Sequence, residues 1–182
     1  MRPCFLLLLA PFALAACRND PGEPYLFGFG SPERAGALNA PWDFGRTGQL
    51  AGRPAEAALA AFRVEQQARS VDTEPLWQAP GTSLLQPQLH LARRQMREAL
   101  GIAPDVPPEA AETALYRATL ALRAGDRGAA AAALSAPGFT LGGAGTLARL
   151  DNLPRLRLVD EAAQAVAQAA NPSGRSARPG IL

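Results

Sequence analysis

Residues 107–126 read PPEAAETALYRATLALRAGD. Two prolines preset the backbone for a first helical turn, where a missing N–H goes unnoticed. Glu109 and Glu112 suit the positive end of that helix. Ala111, Ala114, Leu115, Ala118 and Leu122 then recur at three- and four-residue spacing, the period of one helix face. Gly125 supplies a left-handed stop, and Asp126 can cap a following helix that holds Ala129 to Leu134 and ends at Pro137. The stretch predicts a helical hairpin, and its composition extends to the whole chain. Ala supplies 35 of residues 17–182, and aromatics make up only 6% of the sequence. Such a chain favours helices over a β sandwich.

Outward from the hairpin the same pattern repeats. Pro54 opens a helix running to about Val71, with Ala55, Ala58, Leu59 and Phe62 on one face. Residues 72–81 hold Pro75, Trp77, Pro80 and Gly81 and read as a break. Ser83-Leu84-Leu85-Gln86 has the spacing of a capping box, with Pro87 able to move the start by a turn. Leu89, Ala92, Met96, Ala99 and Leu100 form the next stripe, ended by Gly101. Phe139 to Gly145 reads as a glycine-rich loop, with at most a short helical turn over Thr146 to Leu150. Asp151 or Asn152 is placed to cap a last helix with Leu156, Val159, Ala163, Val166 and Ala170 on one face. The expectation is a small irregular all-α bundle of about five helices over residues 53–170, followed by a flexible tail over 171–182. Because Ala buries little area, a few larger side chains, Leu59, Phe62, Leu89, Met96, Leu115, Leu122, Leu156 and Val166, are expected to carry a disproportionate share of the stability.

The other end of the chain gives an address. Residues 1–16 read MRPCFLLLLAPFALAA: one Arg, then an apolar run too short to span a bilayer comfortably. The run ends in Leu14-Ala15-Ala16-Cys17, which resembles the lipobox of bacterial lipoproteins at all four positions. That resemblance implies that Cys17 is acylated and becomes the new N-terminus. It also implies a membrane partner held through acyl chains, each buried CH₂ contributing roughly 0.8 kcal/mol. Arg18 stands where Asp favours retention in the inner membrane, so the implied location is the outer membrane, facing the periplasm. Loss of residues 1–16 leaves 166 of 182, enough for one domain. It also leaves 17 Arg against 16 acids, a net charge of +1 in place of +2. A strongly basic nucleic-acid-binding domain is excluded on that balance. With Cys4 removed and Cys17 acylated, no thiol remains for a disulfide, a thiolate metal site or a nucleophile.

Residues 17–52 alternate Pro21, Pro24, Pro32 and Pro41 with seven glycines, and read as an extended Pro/Gly-rich tether. Tyr25, Phe27, Phe29, Trp42 and Phe44 are unusual for a spacer and suggest that some of them dock on the helical body or on a partner. The stretch 114–134, with its Arg123-Ala124-Gly125-Asp126 junction, resembles one helix–turn–helix of the tetratricopeptide repeats. No second copy follows at a 34-residue period, so a solenoid is not implied. The chain as a whole also resembles uncharacterised small lipoproteins of Gram-negative bacteria, which brings no activity with it.

Chemistry-bearing residues are sparse. His90, Arg93, Arg94 and Arg97 share one side of the helix over 88–100, a basic stripe suited to an anion or an acidic partner. A catalytic His needs an orienting acid and a nucleophile close by, and neither adjoins His90. One His and scattered carboxylates make no metal-ligand spacing. Gly143-Ala144-Gly145-Thr146-Leu147-Ala148 fits a dinucleotide-turn pattern, but lacks the preceding buried strand and the acid about 20 residues on. No cofactor is expected. The leading expectation is a non-catalytic, membrane-tethered helical module that contacts an envelope protein. Two alternatives stand beside it. One is an envelope or cell-wall hydrolase using distant acids such as Glu65, Glu98, Asp151 or Asp160. The other is a small-ligand carrier with a cavity between helices.

Overall fold

The structure, a computed structural model, describes residues 32–78 and 82–171. The described chain is helical, in the order α1 (Pro32–Asp43), α2 (Pro54–Thr73), α3 (Leu85–Leu100), α4 (Pro108–Arg123), α5 (Arg127–Ala133), α6 (Gly142–Asp151) and α7 (Arg157–Ala170). Short 3₁₀ turns at Thr47–Gln49 and Pro75–Gln78 flank α2. Among the described residues no strand occurs; one antiparallel bridge joins Ile102 to Phe139. The expected all-α bundle is what this chain forms. The signal segment 1–16, Cys17, Tyr25, Phe27 and Phe29 lie outside the described residues, as does all of the expected tail except Asn171.

α2 is the central element. Its Ala57, Ala58, Ala60, Ala61, Val64, Ala68 and Val71 are buried around most of the helix, so neighbours pack on several sides. α4 and α3 lie against it most extensively, with α6 and α1 completing the surround. α7 packs on α1 and α3. Alanine lets these axes approach closely but removes little apolar area, so the larger buried side chains matter most. Leu89, Met96, Leu100, Leu115, Leu134, Leu150, Val159 and Val166 are all at most 1% exposed. Leu59, Phe62 and Leu122, expected inside, are only half buried, because α2 and α4 each turn a wider alanine face inward.

Several local readings hold. Gly125 has φ of 76°. Asp126 N–H donates to Ala121 O at 2.9 Å and Gly125 N–H to Leu122 O at 3.1 Å, which closes α4 in a Schellman turn. Asp126 Oδ1 accepts from Ala129 N at 2.8 Å and caps α5. α4 and α5 pack as the expected hairpin.

Three expectations are corrected. The tether over 17–52 does not reach residue 52: α1 lies inside it, and Ala37, Ala40 and Phe44 are buried at spacings of three and four. Pro41 sits within α1 rather than ending it, and Gly45 brings the chain against α7. A Cβ on Gly45 would stand 2.9 Å from Ala163 Cβ. Of the glycine-rich loop expected over Phe139 to Gly145, residues 142–145 belong to α6 instead. Gly143 is needed there because a Cβ would lie 1.8 Å from Ala131 O of α5. The described residues therefore hold seven α-helices where about five were expected. The capping box at Ser83 does not form. Leu84 occupies the N-cap with no side-chain bond, and Leu85 N donates to Thr82 O at 2.9 Å.

Candidate functional site

The basic stripe of α3 is divided by the fold. Arg97 is not a surface group: it is 5% exposed and faces Glu65 of α2, itself 1% exposed. Nε donates to Glu65 Oε1 at 2.6 Å and Nη2 to Oε2 at 2.8 Å, a parallel pair. Nη1 is directed at the α3–α4 connection, donating to Pro104 O at 3.0 Å and Val106 O at 2.9 Å, with Ala103 O at 3.4 Å. The expectation that Arg97 contacts an anion or partner is therefore corrected. Five hydrogen bonds from its three nitrogens to a carboxylate and three carbonyls make it a clamp holding α2, α3 and the loop to α4 together.

His90 and Arg93 are also engaged within the molecule. His90 Nε2 lies 3.0 Å from Asp72 Oδ1, to which Gln86 Nε2 also donates at 2.7 Å. Arg93 Nη2 lies 3.1 Å from His90 Nδ1. An arginine donating to Nδ1 leaves the proton on Nε2, pointing at Asp72. That arrangement ties the end of α2 to the start of α3. Only Arg94 of the four stands exposed without a polar partner among the described residues. What remains of the stripe is the Arg94 guanidinium beside a His90–Asp72 contact that Arg93 and Gln86 complete.

The acids considered for a hydrolytic site do not converge. Glu65 is taken by Arg97. Asp151 meets Arg127 with Nη2–Oδ2 at 2.6 Å. Asp160 accepts from Thr47 N at 2.9 Å and Thr47 Oγ1 at 2.8 Å, with Arg155 Nε at 3.3 Å from its second oxygen. Glu98 is exposed on α3. Among the described residues no group of three or more His, Cys, Asp or Glu is placed to hold a metal ion. Gly143 and Gly145 lie inside α6 rather than at a strand-to-helix turn, so the dinucleotide pattern has no structural basis.

Among the described residues, two concavities and one apolar face adjoin α2. A polar cleft of about 300 Å³ lies along α2 where α1 crosses it, lined by Glu33, Arg63, Gln67, Ser70 and Glu74 among others. A shallower depression of about 240 Å³ lies between α2 and α4, with Phe62 and Tyr116 as its walls and Glu112, Thr113 and Arg117 at its edge. The two rings are 5.4 Å apart and tilted by 40°. Tyr116 is 47% exposed, and Leu120, one turn on, is 48% exposed. At the rim Arg69 donates to both oxygens of Glu112, at 2.8 and 3.1 Å. That carboxylate, with Glu109 beside it, holds the Arg69 guanidinium above its usual pKa, the hydrogen bond to Glu112 being the main cause. Sequence reasoning missed this face because Phe62 was assigned to the core and Tyr116 to no role. Its signal was the pair Tyr116 and Leu120, four apart on the side of α4 opposite the alanine stripe.

No protein-family model, no curated protein and no solved structure matches this chain. No helix among the described residues is long and apolar enough to cross a membrane.

Proposed function

We propose that this chain is a lipid-anchored module of the bacterial envelope that acts by binding another envelope protein, without chemistry of its own. Its acyl chains sit on Cys17, and its place is the periplasmic side of the outer membrane. The observation that carries the binding role is the α2–α4 face. Phe62, Tyr116 and Leu120 present apolar area around a shallow depression, with Arg69, Glu112 and Arg117 as a polar rim. Aromatic residues and arginine in that disposition are the residue types on which interface energy concentrates. The lipid anchor is supported by Leu14-Ala15-Ala16-Cys17. A hydrolytic role is less favoured because Glu65, Asp151 and Asp160 are already committed to Arg97, Arg127 and Thr47.

The test has two parts. Mass analysis of protein from native membranes should find Cys17 as an acylated N-terminus; an unmodified thiol would end the anchor reading. A photo-crosslinking side chain at position 116 should capture one envelope protein in living cells. The same group at Arg94 should not capture it. Equal capture at both positions, or turnover of a cell-wall or lipid substrate by the purified protein, would overturn the binding role.

A further inference from the structure

Trp42 is 72% exposed, with Leu84 the most exposed of the large hydrophobic residues described, although Ala40 and Phe44 on either side of it are buried. α1 turns those residues onto α7 and turns the indole outward. The Arg46 guanidinium lies over the indole, 3.8 Å from the ring centroid. Arg46 has no carboxylate partner among the described residues, so its N–H edges remain open. Its backbone is held, since the next residue, Thr47, is bonded to Asp160 and to Leu156 N. Arg155, whose side chain is 76% exposed, packs against Gly48 two residues further on. The nearby acids are occupied: Asp160 faces Thr47 and Arg155, and the cation nearest Asp43 is Arg63 at 3.9 Å.

We propose that Trp42 and Arg46 dock this end of the bundle onto the headgroup layer of a phospholipid membrane, with the indole at the interface and the guanidinium on lipid phosphate. This rests on the lipid-anchor reading. An indole is apolar in body and polar at its N–H, and settles at headgroup depth. A stacked guanidinium presents paired donors to phosphate oxygens. Chain length points to the same occupant. Cys17 precedes Pro32 by 15 residues, a reach of at most roughly 50–54 Å, and Trp42 follows within about 15 Å along α1. An anchored chain keeps Trp42 near lipid at high effective concentration, so even weak docking is populated.

The chain has two tryptophans, and Trp77 is only 4% exposed, so the difference between wild type and Trp42→Phe isolates Trp42 emission. The lipidated full-length protein is reconstituted in phosphatidylethanolamine–phosphatidylglycerol vesicles, with and without acyl-chain-brominated lipid. Trp42 emission should fall by about twofold with brominated lipid and be shielded from aqueous iodide. Arg46→Gln should restore part of the iodide access. Trp42 that stays open to iodide overturns the proposal. Trp42 shielded from iodide but untouched by brominated lipid also overturns it, and points to cover by protein. The anchor is read separately, by resistance of the vesicle-bound protein to alkaline wash. Retention after the wash with Trp42 in water would sink this inference alone. Lipid contact by a protein that washes off would sink the anchor alone.

Discussion

Arg97 on α3 and Glu65 on α2 form a two-bond ion pair at 2.6 and 2.8 Å, with side chains 6% and 1% exposed. Removing one partner strands the other charge in the interior. Arg97→Met or Glu65→Leu alone should each cost roughly 3–5 kcal/mol in equilibrium denaturation. The double variant Glu65→Leu, Arg97→Met removes both charges and should recover much of that loss. Recovery should stop short of wild type, because Pro104 O and Val106 O lose the donor that Arg97 gave them. Additive losses in the double-mutant cycle would contradict the pairing.

Two helical glycines should respond in opposite directions to alanine. Gly36 in α1 has nothing within 4 Å of a built Cβ, so Gly36→Ala should stabilise by roughly 0.5–1 kcal/mol through helix propensity. Gly143 in α6 would drive its Cβ to 1.8 Å from Ala131 O, a backbone atom that cannot swing aside. Gly143→Ala should therefore destabilise by at least about 1–3 kcal/mol despite the better propensity. Thermal melts of the two variants side by side decide it.

This contrast marks where local reading reached its limit. The stripes of α3, α4 and α7 were legible because their apolar residues keep a 3.6-residue period, whereas on α2, buried around most of its girth, only Ala58 of the four expected residues is inside. Asp126 was legible as a cap because its oxygen serves its own helix. α1 and α6 were not, since Pro41, Gly45, Gly142 and Gly143 read locally as breakers. Their reason is the closeness of α7 and α5, which a one-dimensional pattern does not contain. The candidate site behaved the same way. His90 and the arginines share a helix face, as expected, but Asp72 and Glu65 arrive from α2 and convert most of that face into internal contacts.

α7 is capped from outside its own sequence. Leu156 N donates to Thr47 Oγ1 at 2.7 Å, across 109 residues, and Leu158 N donates to Gln95 Oε1 at 3.0 Å. The locally placed Asn152 instead closes α6, its Nδ2 donating to Ala148 O at 3.2 Å. Thr47→Val keeps the shape but leaves the buried Leu156 N–H without an acceptor and Asp160 short of a donor. The cost should be about 1–3 kcal/mol, with amide exchange accelerated first over residues 156–160. Thr113→Val, on an exposed turn where the hydroxyl serves only Glu109 O, should stay within roughly 0.5 kcal/mol of wild type.

Asp43, at the end of α1, gives a pH dependence with a defined sign. Burial, the larger cause, raises its carboxyl above the ordinary value of 3.8, and the attraction of Arg63 offsets only part of that. The folded chain then takes up this proton at a higher pH than the unfolded chain does. In the window between the ordinary and the raised value the native state binds more protons, so stability falls as pH rises through it. Above the raised value the full penalty of a desolvated carboxylate is present. Asp43→Asn abolishes the penalty at the expense of a long 3.9 Å contact with Arg63 Nε. The variant should melt higher than wild type at pH 7, and the gap should narrow as the pH falls through the raised value towards and below 3.8, where the wild-type carboxyl takes up its proton in both states. A variant that melts lower at neutral pH would mean that Arg63 outweighs burial at this residue.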